Sequence, residues 1–163
     1  MGTSNPQVIM VLGSKSDADH RNAIAQALDK FGLSHVTRIA SAHKVTGYLL
    51  ELMQAYEQDG QPHVYITVAG RSNALSGVVD ANSRHPVIAC PPYGDRFGGM
   101  DLLSSVRMPG GVAPLLVLEP GSAALAAAKI LGVGDPAIRE RVVAWQESLR
   151  EQAIADDRAV QDG

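Results

Sequence analysis

Three short stretches carry the residue types that chemistry needs. "SAHK", Ser41 to Lys44, puts a hydroxyl, an imidazole and an ammonium within four residues. A histidine titrates near neutrality and can move a proton to or from a reacting atom. A lysine can hold a phosphate as a point charge. A polar loop with Ser41 capping the next helix accounts for the same letters. "GSKSD", 13–17, begins with Gly13, which permits a tight turn, and runs into a helix start. Free N–H groups there, with the positive end of the helix dipole, favour a phosphate. Ser14 and Ser16 add hydroxyl donors, and Asp17 suits sugar hydroxyls. Ser and Asp are also the commonest helix caps, so plain capping competes. The GxxxxGK and GxGxxG spacings are absent. "AGRSNALSG", 69–77, places Gly70, Arg71, Ser72 and Asn73 in a row. Glycine lets a backbone approach a ligand closely, and N–H groups in such a turn suit a carboxylate or a CO2-sized group. A turn capped by Ser72 or Asn73 is the competing account. A charged Arg71 at the end of a buried strand fits mere turn chemistry less well.

These stretches follow apolar runs, and the runs alternate with helical patterns. Strands are expected at 7–12, 34–40, 63–69, 86–90 and 114–119. Between the first two, Ala23, Ile24, Ala27, Leu28 and Phe31 keep helical spacing and stop at Gly32. Leu49, Leu52, Met53 and Tyr56 form the face of a second helix ending at Gly60. A third helix opens in "GRSNALSG" and runs into the low 80s. "PPYGDRFGGMD" and "RMPGGVAP" read as loops flanking a short helix. An alanine-rich helix covers 121–131, its small residues suited to close approach in the core or between subunits. A last helix, about 136–155, carries Ile138, Val142, Trp145 and Leu149 on one stripe, and the polar tail "ADDRAVQDG" frays.

Alternating strands and helices predict an α/β protein with a doubly wound parallel sheet. Five strands favour the flavodoxin-like three-layer fold, strand order 2-1-3-4-5, with an extra C-terminal helix. Ligands of such sheets sit beyond the carboxyl ends of the strands, at the switch between strands one and three. The loops after Leu12 and Ala69 lie there, and the "SAHK" loop emerges on the same edge. Residues 1–163 read as one domain, with its core at about 7–132.

Composition narrows the function. Hydrophobic residues make up 45% and charged residues 19%, enough for a packed core. A net charge of −3 and 4% aromatics argue against a nucleic-acid partner. No apolar run approaches the roughly 20 residues that span a bilayer, so no membrane partner is expected. No signal peptide is visible at the N-terminus. The one cysteine, Cys90, can form neither an internal disulfide nor a cysteine-rich zinc site, and the chain reads as cytoplasmic. Cys90 itself reads as a packed thiol. His20 falls on a solvated helix face, His35 and His63 start strands, and His85 precedes Pro86 in a turn. No two histidines have HxxxH spacing, so no metal is expected.

Together "GSKSD", "SAHK", "AGRSNALSG", "CPP" and "SSVRMPGGVAP" resemble the phosphoribosylaminoimidazole carboxylase family of purine biosynthesis, over about residues 7–132. The family has two classes. One is a mutase that moves a carboxyl from the exocyclic nitrogen of carboxyaminoimidazole ribonucleotide to the ring carbon. Its loops usually read "SAHR" and a glycine-alanine run with a histidine. The other carboxylates 5-aminoimidazole ribonucleotide directly with CO2, using no ATP, biotin or metal. "SAHK" and "GRSN" resemble this second class. "PGG" at 109–111 departs from the "PSG" expected there.

The resemblance implies a carboxy-lyase without a cofactor. It implies His43 as the proton shuttle, and Ser14, Ser41 and Lys44 on the phosphate. Asp17 would meet the ribose, and Gly70 and Ser72 would bound the place of CO2. Arg71 adds positive charge or serves the structure, and Ser16 and Asn73 are further candidates. It also implies a homo-oligomer, tetramer or octamer. Two other functions stay open: the mutase reaction, and a non-catalytic nucleotide-phosphate sensor on the same scaffold.

Overall fold

The computed structural model describes residues 7–161. Five strands, β1 (Val8–Leu12), β2 (His35–Ile39), β3 (Val64–Val68), β4 (Val87–Ala89) and β5 (Leu115–Leu116), form one sheet in the order β2-β1-β3-β4-β5. Every pairing is parallel. The expected doubly wound, flavodoxin-like arrangement is what the chain adopts. The fifth strand is much shorter than the expected 114–119.

Helices α1 (Ala18–Lys30), α2 (Thr46–Glu57), α3 (Ala74–Ala81), α4 (Leu103–Val106), α5 (Pro120–Leu131) and α6 (Pro136–Gln161) complete the layers. The alternation along β1 sets the two cores. Val8, Met10 and Leu12 face α1 and α5, while Ile9 and Val11 face α2 and α3. In β3, Val64, Ile66 and Val68 repeat the first set, and Tyr65 joins the second. Both strands are fully covered, which explains an apolar sequence interrupted only by Thr67, whose hydroxyl donates to the Ile88 carbonyl at 3.5 Å.

The alanine-rich helix belongs to this chain's own core. Ala123, Ala124, Ala127 and Ala128 are all buried against α1, where small side chains let two helices approach closely. Helix α2 stops at Glu57, before Gly60, whose φ of +74° suits it to the turn that follows.

Helix α6 departs furthest from expectation. Ile138 and Val142 are buried, and Trp145 meets Phe31 edge-to-face at 5.9 Å. Leu149, expected on the same stripe, is 51% exposed. The polar tail remains helical through Gln161 instead of fraying. Gln152 donates to Asp156 and Gln161 to Asp157, hydrogen bonds between residues four apart that support a solvated helix. No glycine or proline interrupts this stretch. No helix among the described residues is long and apolar enough to cross a membrane.

Candidate active site

The carboxyl ends of β1, β2 and β3 open into one cleft of about 460 Å³. Three loops line it: Gly13 to Asp17, Ser41 to Lys44, and Ala69 to Ser72. They are tied together at their roots. Gly13 N–H donates to the Val68 carbonyl, and Ala40 N–H to that of Leu12, both at 2.9 Å. A Cβ at Gly13 would lie 3.2 Å from Ala69 Cβ, and one at Gly70 would lie 3.3 Å from Pro92 Cγ. Glycine at both positions keeps the loops this close.

The loop after β1 forms a 3-10 turn, Lys15–Asp17, before α1. Ser14 caps it, accepting from Ser16 N–H at 3.2 Å, so the capping account of this serine holds locally. Ser14 also faces the cleft, so the two accounts do not exclude each other. Burial pushes the Asp17 carboxyl up, against hydrogen bonding at Ser14 and the positive influence of His20 and Arg71.

Ser41 does not cap α2. That position is Val45, without a side-chain cap. The Ser41 carbonyl instead accepts from the N–H groups of Lys44 and Val45, folding the loop back and leaving the side chains of His43 and Lys44 exposed. Neither side chain has a hydrogen-bond partner among the described residues, so both are available to a ligand.

The loop after β3 is held in an unusual conformation. Arg71 has φ +59°, the left-handed region, which costs a residue with a Cβ roughly 1–2 kcal/mol. Asn73 is not in the cleft. It is buried, caps α3 by accepting from Ser76 N–H at 3.2 Å, and donates to Ser105 Oγ at 2.9 Å. Every other expected site residue lines the cleft: Ser14, Ser16, Asp17, Ser41, His43, Lys44, Gly70, Arg71 and Ser72. His43 is the one imidazole among those lining residues. A second recess of about 370 Å³ adjoins it past Asp17 and Arg71, walled by Pro92, Tyr93 and Asp101. The two spaces are of the size that small organic ligands occupy. Among the described residues no group of three His, Cys, Asp or Glu is placed to hold a metal.

Comparison with known proteins places the chain in a family. The family model described as AIR carboxylase matches residues 7–152. The chain belongs to the AIR carboxylase family. The phosphoribosylaminoimidazole carboxylase of Archaeoglobus fulgidus is 53% identical over 93% of this chain and 83% of its own length. The Treponema denticola protein of the same name is 47% identical over 93% of this chain and 96% of its own length. A crystal structure of Treponema denticola PurE superimposes with a TM-score of 0.92 at 46% identity, covering 93% of this chain and 96% of that one.

Two features of this AIR carboxylase fold escaped the sequence reading. Asp101 and Ser104, in and beside α4, reach the Arg71 loop: Arg71 N–H donates to Asp101 Oδ2 at 3.2 Å, and Ser104 Oγ donates to the Arg71 carbonyl at 3.0 Å. Their signal was an Asp and a Ser three apart in "MDLLSS", on one face of a short helix.

The second is His20, which is half-buried rather than solvated, with Nε2 3.4 Å from Cys90 Sγ. Cys90 donates to the Leu118 carbonyl at 3.5 Å, which leaves its sulfur to accept from His20. Burial, aided by the charge of Glu119, pushes the thiol up to about 12, so it stays protonated. Burial also holds His20 below its usual range, opposed by Cys90 and by the charges of Asp17 and Glu119.

This last feature sets a pH dependence. His20 takes up its proton near 6.5 when unfolded and at lower pH when folded. The unfolded state therefore binds more protons below about 6.5, and stability falls as pH drops through that window. His85, lowered by burial at the opposite end of the sheet, contributes with the same sign. Asp17, raised, acts oppositely, in the range just above the usual carboxylate value. Urea midpoints should fall between about pH 7.5 and about pH 5.5, and His20→Gln should make the decline shallower. An unchanged slope in that variant would refute the assignment to His20.

Proposed function

We propose that this chain carboxylates 5-aminoimidazole ribonucleotide directly with CO2, reversibly, giving 4-carboxy-5-aminoimidazole ribonucleotide. The observation that carries this reading is the cleft's inventory: one imidazole, His43, in a cleft that a phosphate-suited turn at Ser14 and a glycine turn at Gly70 also line. Lys44 and Arg71, both lining the cleft, match the "SAHK" and "GRSN" loops of the CO2-using class. The relatives named as phosphoribosylaminoimidazole carboxylases support the family's substrate.

The chemistry follows from the groups present. The aminoimidazole ring is electron-rich, and its carbon attacks CO2. The adduct is a tetrahedral ring carbon bearing both its hydrogen and the new carboxylate. His43 removes that proton, and the ring regains its aromaticity. In reverse, His43 protonates the same carbon and CO2 leaves. Ser14, Ser41 and Lys44 hold the phosphate, with Ser16 adding a hydroxyl, and Asp17 accepts from the ribose. Gly70 and Ser72 offer backbone N–H groups to the developing carboxylate, since neither group has an acceptor among the described residues. Proximity of ring and CO2 supplies most of the remaining acceleration. No step calls for ATP, biotin or a metal.

Residues 1–163 act in this reading as one catalytic domain in the cytoplasm, assembled as a homo-oligomer of four or eight. Tyr93, which walls the recess beside the cleft, and Phe97, Met100 and Leu103 in the segment after it are all well exposed and suit contact with another copy.

Three measurements test these readings. Supplied with aminoimidazole ribonucleotide and bicarbonate, the protein should form product. Turnover of the nitrogen-carboxylated isomer alone would assign the mutase reaction instead. His43→Asn should keep ligand affinity and lose turnover by roughly 100- to 10,000-fold. Binding with no carboxylation by the unsubstituted protein would identify a sensor. Light scattering should give a tetramer or octamer, and a monomer at micromolar concentration would overturn the assembly.

A further inference from the structure

We propose that Asp101 and Ser104 are positioning residues for the carboxylation, acting through the backbone of Arg71. The inference rests on the CO2-dependent reading above and concerns how the small-anion turn is built.

Arg71 is left-handed, at φ +59°, and lines both the cleft and its adjoining recess. A glycine would adopt that conformation without strain. This chain places a long cation there, so contacts from elsewhere must hold the turn. Asp101 Oδ2 accepts the Arg71 N–H at 3.2 Å. Ser104 Oγ lies 3.0 Å from the Arg71 carbonyl and 2.7 Å from that of Asp101, its single hydrogen shared between them. The same oxygen accepts Asn73 N–H at 2.9 Å. The peptide groups on both sides of the left-handed residue are thus gripped by one short segment.

The grip decides which N–H groups remain available. That of Arg71 is committed to Asp101 and that of Asn73 to Ser104. Those of Gly70 and Ser72 have no acceptor among the described residues. The left-handed residue that the clamp holds lies between those two N–H groups, on the wall of the cleft. In this reading the clamp shapes the place of CO2 and its carboxylate, and its hydrogen bonds go to residues 71 and 73 and not to the loops assigned to phosphate and ribose.

The test is a double-substitution cycle on the full-length protein, with KM for CO2 and KM for aminoimidazole ribonucleotide measured separately. Asp101→Ala should raise KM for CO2 by about tenfold or more, the effect of losing a hydrogen bond to a charged group. KM for the ribonucleotide should rise by much less. Asp101→Asn, whose amide oxygen can accept the same N–H, should restore most of the loss. Ser104→Ala should act in the same direction as Asp101→Ala, and serves should that variant fold poorly. In an Arg71→Gly background, where no strain needs holding, Asp101→Ala should add little. Unchanged KM for CO2 in both Asp101→Ala and Ser104→Ala would overturn the clamp. So would an equal effect of Asp101→Ala in the Arg71→Gly background. Unsubstituted protein that makes no product from bicarbonate would instead refute the underlying reading, and the inference with it.

Discussion

All five strands run the same way, and the site depends on that single constraint. A parallel sheet delivers every carboxyl end to one edge. The doubly wound order places β1 and β3 side by side, with their following helices on opposite faces. The chain leaving β1 turns one way and the chain leaving β3 turns the other, so a crevice opens between them. β2, beside β1, adds its loop to the same crevice. No side chain needs to travel far to take part, because topology has already brought Ser14, His43 and Gly70 to one rim.

Within that crevice the limiting quantity is space. Gly13 against Ala69 and Gly70 against Pro92 leave no room for a methyl group without displacement. The close approach lets backbone amides serve where side chains would not fit. Backbone donors have little freedom to relax, which suits the small-anion role proposed for the turn at Gly70. The strain at Arg71 belongs to the same economy of space. It is a local cost, held by a neighbouring segment, at a residue on the cleft wall.

Much of this was legible in the sequence. The largely apolar runs at 7–12 and 63–69 announced strands covered on both faces, and the strand order followed from their alternation with helices. The three loops could be placed at one edge before any coordinate was known. What periodicity could not supply were contacts between distant segments. Nothing local to Asp101 tells that its carboxylate meets Arg71, thirty positions away. His20 looked solvated because its own helix face is polar, while its partner Cys90 comes from β4's end, seventy positions on. Asn73 and Ser72 were equivalent caps on paper, and packing against Ser105 separated them. The polar tail read as frayed because it lacks an apolar stripe, yet side-chain pairs four residues apart sustain the helix. Individual residue roles needed the family's five motifs, since each motif alone had an ordinary structural explanation.

The second half of α6 stands clear of the body that the first half grips. From Glu147 to Gln161 every residue is exposed. At 1.5 Å per residue that is a rod of roughly 22 Å, somewhat longer than an average strand. A rod anchored at one end by Ile138, Val142 and Trp145 has a fixed direction, unlike a tether of equal length. Anything joined to its far end would be held at a set distance and bearing from the sheet, on a spacer whose stiffness comes from its own backbone hydrogen bonds.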